Sequence, residues 1–130
     1  SLFIDAANAW EACPNPEARH HAIEILQTGI HRIGPLHELY RELVHHYLTT
    51  QDYDEAITSQ TYLVEHAVHP IMPLMERAWI YEKAGDPGSA KADLHQALNL
   101  LNDLPPSKSG LPAMMKLRDD IMAGLTRLPK

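Results

Sequence analysis

Nine histidines stand in this 130-residue chain, and several are spaced as ligands or proton carriers could be: His20-His21, His45-His46 and His66-x-x-His69. Glu24 and Glu42 each lie four residues from a histidine, a separation that shares one helical face. Such groups offer metal binding or a charge that changes near neutral pH. A metal site needs three or four convergent ligands, however, and adjacent histidines on a helix diverge by about 100°. No strong metal motif is present. The histidines are therefore expected to be solvated or partly buried on helix surfaces, with no metal and no cofactor. His66 and His69 suit a helix end, where the carbonyl terminus favours an imidazolium.

Catalytic patterns are scarcer still. The chain has no nucleophile elbow, no phosphate-gripping glycine loop and no zinc-protease motif. The carboxylate pair Asp119-Asp120 is expected on a polar, solvated face, because unpaired buried carboxylates are costly. No catalytic residue and no enzyme activity are expected.

The elements that would position these side chains are read from the breakers. Between "PNP" (14–16), "GP" (34–35), "HP" (69–70), "GDPG" (85–88) and "LPPSKSG" (104–110) lie segments of helical length. Tyr40, Leu43, Val44 and Tyr47 recur at three-and-four spacing, as do Leu74, Ala78 and Tyr81, so each segment has one apolar face. Strand alternation is nowhere sustained. "TTQDYDEAIT" (49–58) and "EKAGDPGSAKA" (82–92) share a layout, with Asp52 and Asp86, and likewise Ala56 and Ala90, separated by 86 − 52 = 34 residues. A fixed offset of this size marks stacked helix pairs, each burying a face that neither helix could bury alone. Asp52 and Asp86 are placed to cap the following helix, and Pro87 suits a first helical turn, where its missing donor costs nothing.

One step further back reaches Ala22 and Gly29, which makes "HHAIEILQTGI" an earlier second helix. Three pairs result, at about 3–36, 37–70 and 71–104, together an array over 1–105. Ala22, Ala56 and Ala90 form one column of close approach, and Gly29, Leu63 and Ala97 another, with Leu26 and Leu94 filling the gaps. Cys13 falls in the column of Tyr47 and Tyr81 and is expected in the interior. Residues 106–110 read as a linker, and 111–130 as a C-terminal helix. Its Leu111, Met114, Leu117, Ile121, Leu125 and Leu128 make one apolar stripe, which must cap the last pair or pack on a second copy as a homodimer contact through 111–128.

On "LYRELVHHYLTTQDYDEAITSQTYL" and "LMERAWIYEKAGDPGSAKADLHQAL" the sequence resembles the tetratricopeptide repeat family over about residues 3 to 104. The third pair matches best, through Leu74, Ala78, Tyr81, Gly85-Asp86, Ala90, Leu94 and Ala97. Departures are Trp10 at a position that is usually small, Gln60 in place of a large apolar residue, and the drifting prolines 35, 70 and 105. The resemblance implies an all-α superhelix of three antiparallel helix pairs plus the C-terminal capping helix. It implies no chemistry, but a concave groove lined by the first helix of each pair. By the family's pattern Glu11, Glu38, Arg41, His45, Leu48, Met72, Met75, Trp79 and Glu82 would line it, with Ile4, Ala7 and Lys83 beside them. Trp79 and Met75, four apart, would form an anchor pocket. The carboxylate-gripping clamp of one subclass is missing, since Ala7, Glu11, Glu42, Met72 and Glu76 occupy its positions.

Charge narrows the partner. Residues 1–105 hold 6 Lys/Arg against 15 Asp/Glu, whereas 106–130 hold 5 against 2. An acidic array repels a phosphate backbone, so the expected ligand is a protein or peptide with basic and apolar side chains, not nucleic acid. The basic tail could also occupy the chain's own groove. No apolar run approaches the roughly 18 residues of a membrane span. A single cysteine allows no internal disulfide and fits a reducing, cytoplasmic location. The start at Ser1, without methionine, suits a fragment of a larger protein. Two other roles stay open: assembly of a homo-oligomer through the last helix, and sensing of metal or pH, since full histidine protonation would carry the formal charge from −6 to +3.

Overall fold

The computed structural model describes residues 2–11, 16–33 and 37–129, without the side chains of residues 10, 11, 16 and 33. Among them eight helices form and no strand. In order these are α1 (Leu2–Glu11), α2 (Pro16–Ile33), α3 (His37–Thr49), α4 (Tyr53–Glu65), α5 (Ile71–Lys83), α6 (Pro87–Asn102), α7 (Pro106–Ser109) and α8 (Pro112–Arg127). The connection 106–110 thus contains a single helical turn, and α8 begins one residue later than its apolar stripe, with Leu111 as the flanking residue. Cys13 and the side chain of Trp10 lie outside the described residues.

The turns repeat as closely as the letters do. After α3 the Asp52 amide donates to the Tyr47 carbonyl at 2.8 Å, and after α5 the Asp86 amide donates to the Tyr81 carbonyl at 2.9 Å. This six-residue closure needs a left-handed residue just before its donor. Gln51 (φ 60°) and Gly85 (φ 82°) supply it, 34 residues apart. The Asp86 side chain then caps α6 by accepting from the Ser89 amide at 3.1 Å, with Pro87 in the first turn. Four orphan amides per helix start explain why an acid sits there.

Residues Ser1–Leu63 and Val64–Lys130 form two compact units. In the first, α1 packs on α2 and α2 on α3. The crossing of α1 and α2 depends on Gly29, where a Cβ would stand 2.8 Å from Phe3 Cγ. Leu26, Leu39 and Leu43 fill the core, and the Tyr40 and Tyr62 rings stack at 3.8 Å and 10° to join α3 with α4. Ala22 and Ala56 are fully buried there, as is Ala90 in the other unit. Gln60, the polar departure in its column, is buried too.

The second unit is built from α5, α6 and α8. Leu74 and Ala78 of α5 meet Ala90, Leu94, Ala97 and Leu101 of α6, and α8 closes this layer with Ile121 and Leu128. Ile121 is fully buried, worth about 1.5–3 kcal/mol of apolar transfer. Of the α8 stripe, Ile121 and Leu128 are covered within the chain, Met114, Leu117 and Leu125 are partly buried, and Leu111 is half exposed. α8 approaches α6 at Gly124, where a Cβ would lie 3.0 Å from Leu94 Cδ1. Beneath, Arg77 of α5 and Asp93 of α6 form a two-pronged ion pair, Nε donating to Oδ2 at 2.8 Å and Nη2 to Oδ1 at 2.7 Å. Both side chains are nearly enclosed, at 15% and 6% exposed.

Candidate functional site

On α3, Glu38, Arg41 and His45 are exposed and Leu48 is half-buried. Their three-and-four spacing sets them along one face of the helix. Of the companions expected on α1, Ala7 is fully buried and lines no open surface, Ile4 is half-buried, and the side chain of Glu11 lies outside the described residues. On α5, Met72 and Trp79 are half exposed, at 50% and 48%, and Met75 and Glu82 are partly buried along the same face. Lys83 Nζ stands 5.3 Å from the Trp79 ring centroid, a cation held over an aromatic face.

Of these α5 residues, Met75, Trp79 and Glu82 converge on a concave feature, which Met72 and Lys83 do not line. A cleft of about 140 Å³ opens between α5 and α8, floored by Met75, Ala78, Leu94 and Leu128. Trp79, Glu82, Asp120 and Arg127 make its rim. Its size is close to the ~150 Å³ that holds one benzene in an engineered apolar cavity. Arg127 donates to Glu82 Oε2 at 3.0 Å, while Asp120 forms no ion pair among the described residues. The opening thus offers an apolar floor, an indole edge and more negative than positive charge. Nothing in the α5 sequence alone points to Asp120, Gly124, Arg127 or Leu128 as parts of this site. Their only signal is the stripe of α8 beside a helix whose opposite flank is charged.

The histidines divide. His20, His21, His45, His66 and His69 are exposed, as surface residues should be. His21 Nδ1 lies 3.8 Å from Glu24 Oε2, one helical turn away. His46 departs from the surface expectation, because it is fully buried and bonded through Nδ1 to the Arg19 guanidinium. Among the described residues no three His, Cys, Asp or Glu side chains converge on one point. Asp119 and Asp120 are exposed. Elsewhere in the first unit a shallow hollow of about 300 Å³ is lined by Tyr40, Tyr47 and Glu55 among others. There Gln27 Nε2 donates to the Tyr47 hydroxyl at 2.9 Å, and burial pushes the phenol above its usual range.

Helix order, the duplicated turns and the capped end define an all-α, tetratricopeptide-like helical repeat. Among solved structures, the crystal structure of PcrH from Pseudomonas aeruginosa superposes with a TM-score of 0.64 at 17% sequence identity, covering 96% of this chain and 84% of that one. At that identity the likeness concerns the fold. No family model and no curated protein matches the sequence. No helix among the described residues is long and apolar enough to cross a membrane.

Proposed function

We propose that this chain is a non-catalytic protein-interaction module, part of a larger protein or complex, that receives a peptide or partner protein on the exposed faces of α3 and α5. The array of pairs at about 3–36, 37–70 and 71–104 is its scaffold. Trp79, Met75, Arg41 and His45 make the principal contacts, and the acidic groups Glu38 and Glu82 select a partner carrying basic and apolar side chains. The observation that carries this reading is Trp79, half exposed at the mouth of an apolar cleft rather than packed away. Large aromatics left at a concave opening are the side chains that dominate binding energy when covered.

Affinity capture from the native lysate, with the intact chain and a Trp79→Ala, Arg41→Ala version side by side, tests it. A partner retained by the first and lost by the second supports groove recognition. Retention of the same proteins by both refutes it. Assembly through the last helix would have to use Leu111, Met115 and Met122, each about half exposed, because Ile121 and Leu128 are already covered by the chain itself.

A further inference from the structure

The α5–α8 cleft has a chemistry more particular than a general groove. Its floor is thioether and aliphatic, its volume is that of one medium apolar side chain, and its rim carries Glu82, Asp120 and Arg127. One carboxylate, Glu82, already holds a guanidinium at 3.0 Å. That guanidinium comes from the end of α8, immediately before Leu128, whose side chain is buried in the floor. Leu128 is thus part of the cleft wall, and the one cation of the rim is tied to one of its two carboxylates. Arg127 is 64% exposed, and ion pairs so open to water contribute little, so it gives way readily to a competing cation. Among the described residues Asp120 has no cation paired with it.

From this we propose that the cleft is a subsite for an aliphatic side chain of a partner peptide whose neighbouring residue is Lys or Arg. The incoming cation takes Glu82 over from Arg127 or settles on Asp120, while the aliphatic group displaces water from Met75 and the edge of Trp79. An acidic neighbour would meet two carboxylates against the one guanidinium of the rim and bind more weakly. This assignment rests on the partner-binding reading above and adds the side-chain pair that is recognised.

The test is an NMR titration of the full chain, read at the Met75 methyl and the Trp79 indole N–H. The probes are acetyl-leucyl-arginine-amide, acetyl-leucyl-glutamate-amide and acetyl-seryl-arginine-amide. The Leu-Arg probe is expected to give saturating shifts at both positions, with affinity at least about five-fold above either other probe. Arg127→Ala should strengthen Leu-Arg binding about two- to five-fold, and Asp120→Asn should weaken it. Both positions are exposed, so neither change threatens the fold. Absence of saturating shifts, or equal affinity for Leu-Glu, overturns the assignment. So do shifts at Met75 and Trp79 that grow with protein concentration alone, which would make a second copy the occupant. If capture of a partner depends on Trp79 while the Leu-Arg probe leaves Met75 unmoved, only the subsite falls. If capture ignores Trp79, the broader reading falls.

Discussion

Removing one member of the Arg77–Asp93 pair should be the most damaging single polar change in the second unit. Two charge-assisted bonds of 2.7 and 2.8 Å join side chains only 15% and 6% exposed. Breaking a buried pair leaves one desolvated charge behind, at a cost of about 3–5 kcal/mol, whereas an exposed pair contributes about 0–1 kcal/mol. Arg127–Glu82, 64% and 29% exposed, is the internal control. Asp93→Ala should therefore lower stability by about 3 kcal/mol or more, and Arg127→Ala by less than about 1 kcal/mol. At a urea dependence of about 2 kcal/mol per molar, the Asp93→Ala midpoint moves down by roughly 1.5 M. Urea unfolding followed by circular dichroism at 222 nm measures both. Replacing the pair together, Arg77→Met with Asp93→Leu, should recover most of the loss, because no charge is then stranded. An Asp93→Ala loss below about 1 kcal/mol, or a double variant worse than the sum of the singles, would refute the reasoning.

Four further changes follow from the turns and the last helix. Gln51 is the non-glycine member of the left-handed pair with Gly85, so Gln51→Gly should stabilise by up to about 1 kcal/mol and Gly85→Ala destabilise by about 1–2 kcal/mol, read by thermal melting. The Ser89 hydroxyl, at 2.7 Å, and then its amide hold the Asp86 carboxyl below its usual range. A depressed carboxyl contributes stability above its unfolded value and loses it as pH falls through the folded one. The deficit of Asp86→Ala should thus be constant from pH 7 to about 5 and close below about pH 4. Finally, Ile121→Ala should cost about 2–5 kcal/mol without changing the mass in solution, measured by urea unfolding and light scattering. A stable variant that lost a dimer would assign the α8 stripe to assembly instead.

What the letters reveal is what is local or periodic. The helices follow from breakers and three-and-four spacing, and the duplicated turn from "TTQDYDEAIT" and "EKAGDPGSAKA". Ala22, Ala56 and Ala90, placed in one column by arithmetic, are all fully buried. Side-chain partnerships between helices are less legible, because the distance along the chain says nothing of the approach in space. His46 meets Arg19 at a separation of 27 residues and Arg127 meets Glu82 at 45. The Arg77–Asp93 pair did leave a trace. Asp93 interrupts the stripe Ala90, Leu94, Ala97, and Arg77 stands between Leu74 and Ala78, so each charge sits on a face that is otherwise apolar. Two opposite charges on facing apolar stripes imply a buried pair, since either alone would be too costly. Ala7 shows the reverse error: family spacing set it in the groove, while packing of α1 on α2 enclosed it.

Trp79 decides the matter of function. The substitution Trp79→Ala should be compared with the intact chain for helicity, urea midpoint and affinity for a captured partner in the same preparation. With the indole about half exposed, helicity should be unchanged and stability should fall by no more than about 1–2 kcal/mol, while binding weakens at least ten-fold. Unfolding of the second unit, or unchanged affinity in a folded variant, would contradict the assignment of the α5 face as the partner site.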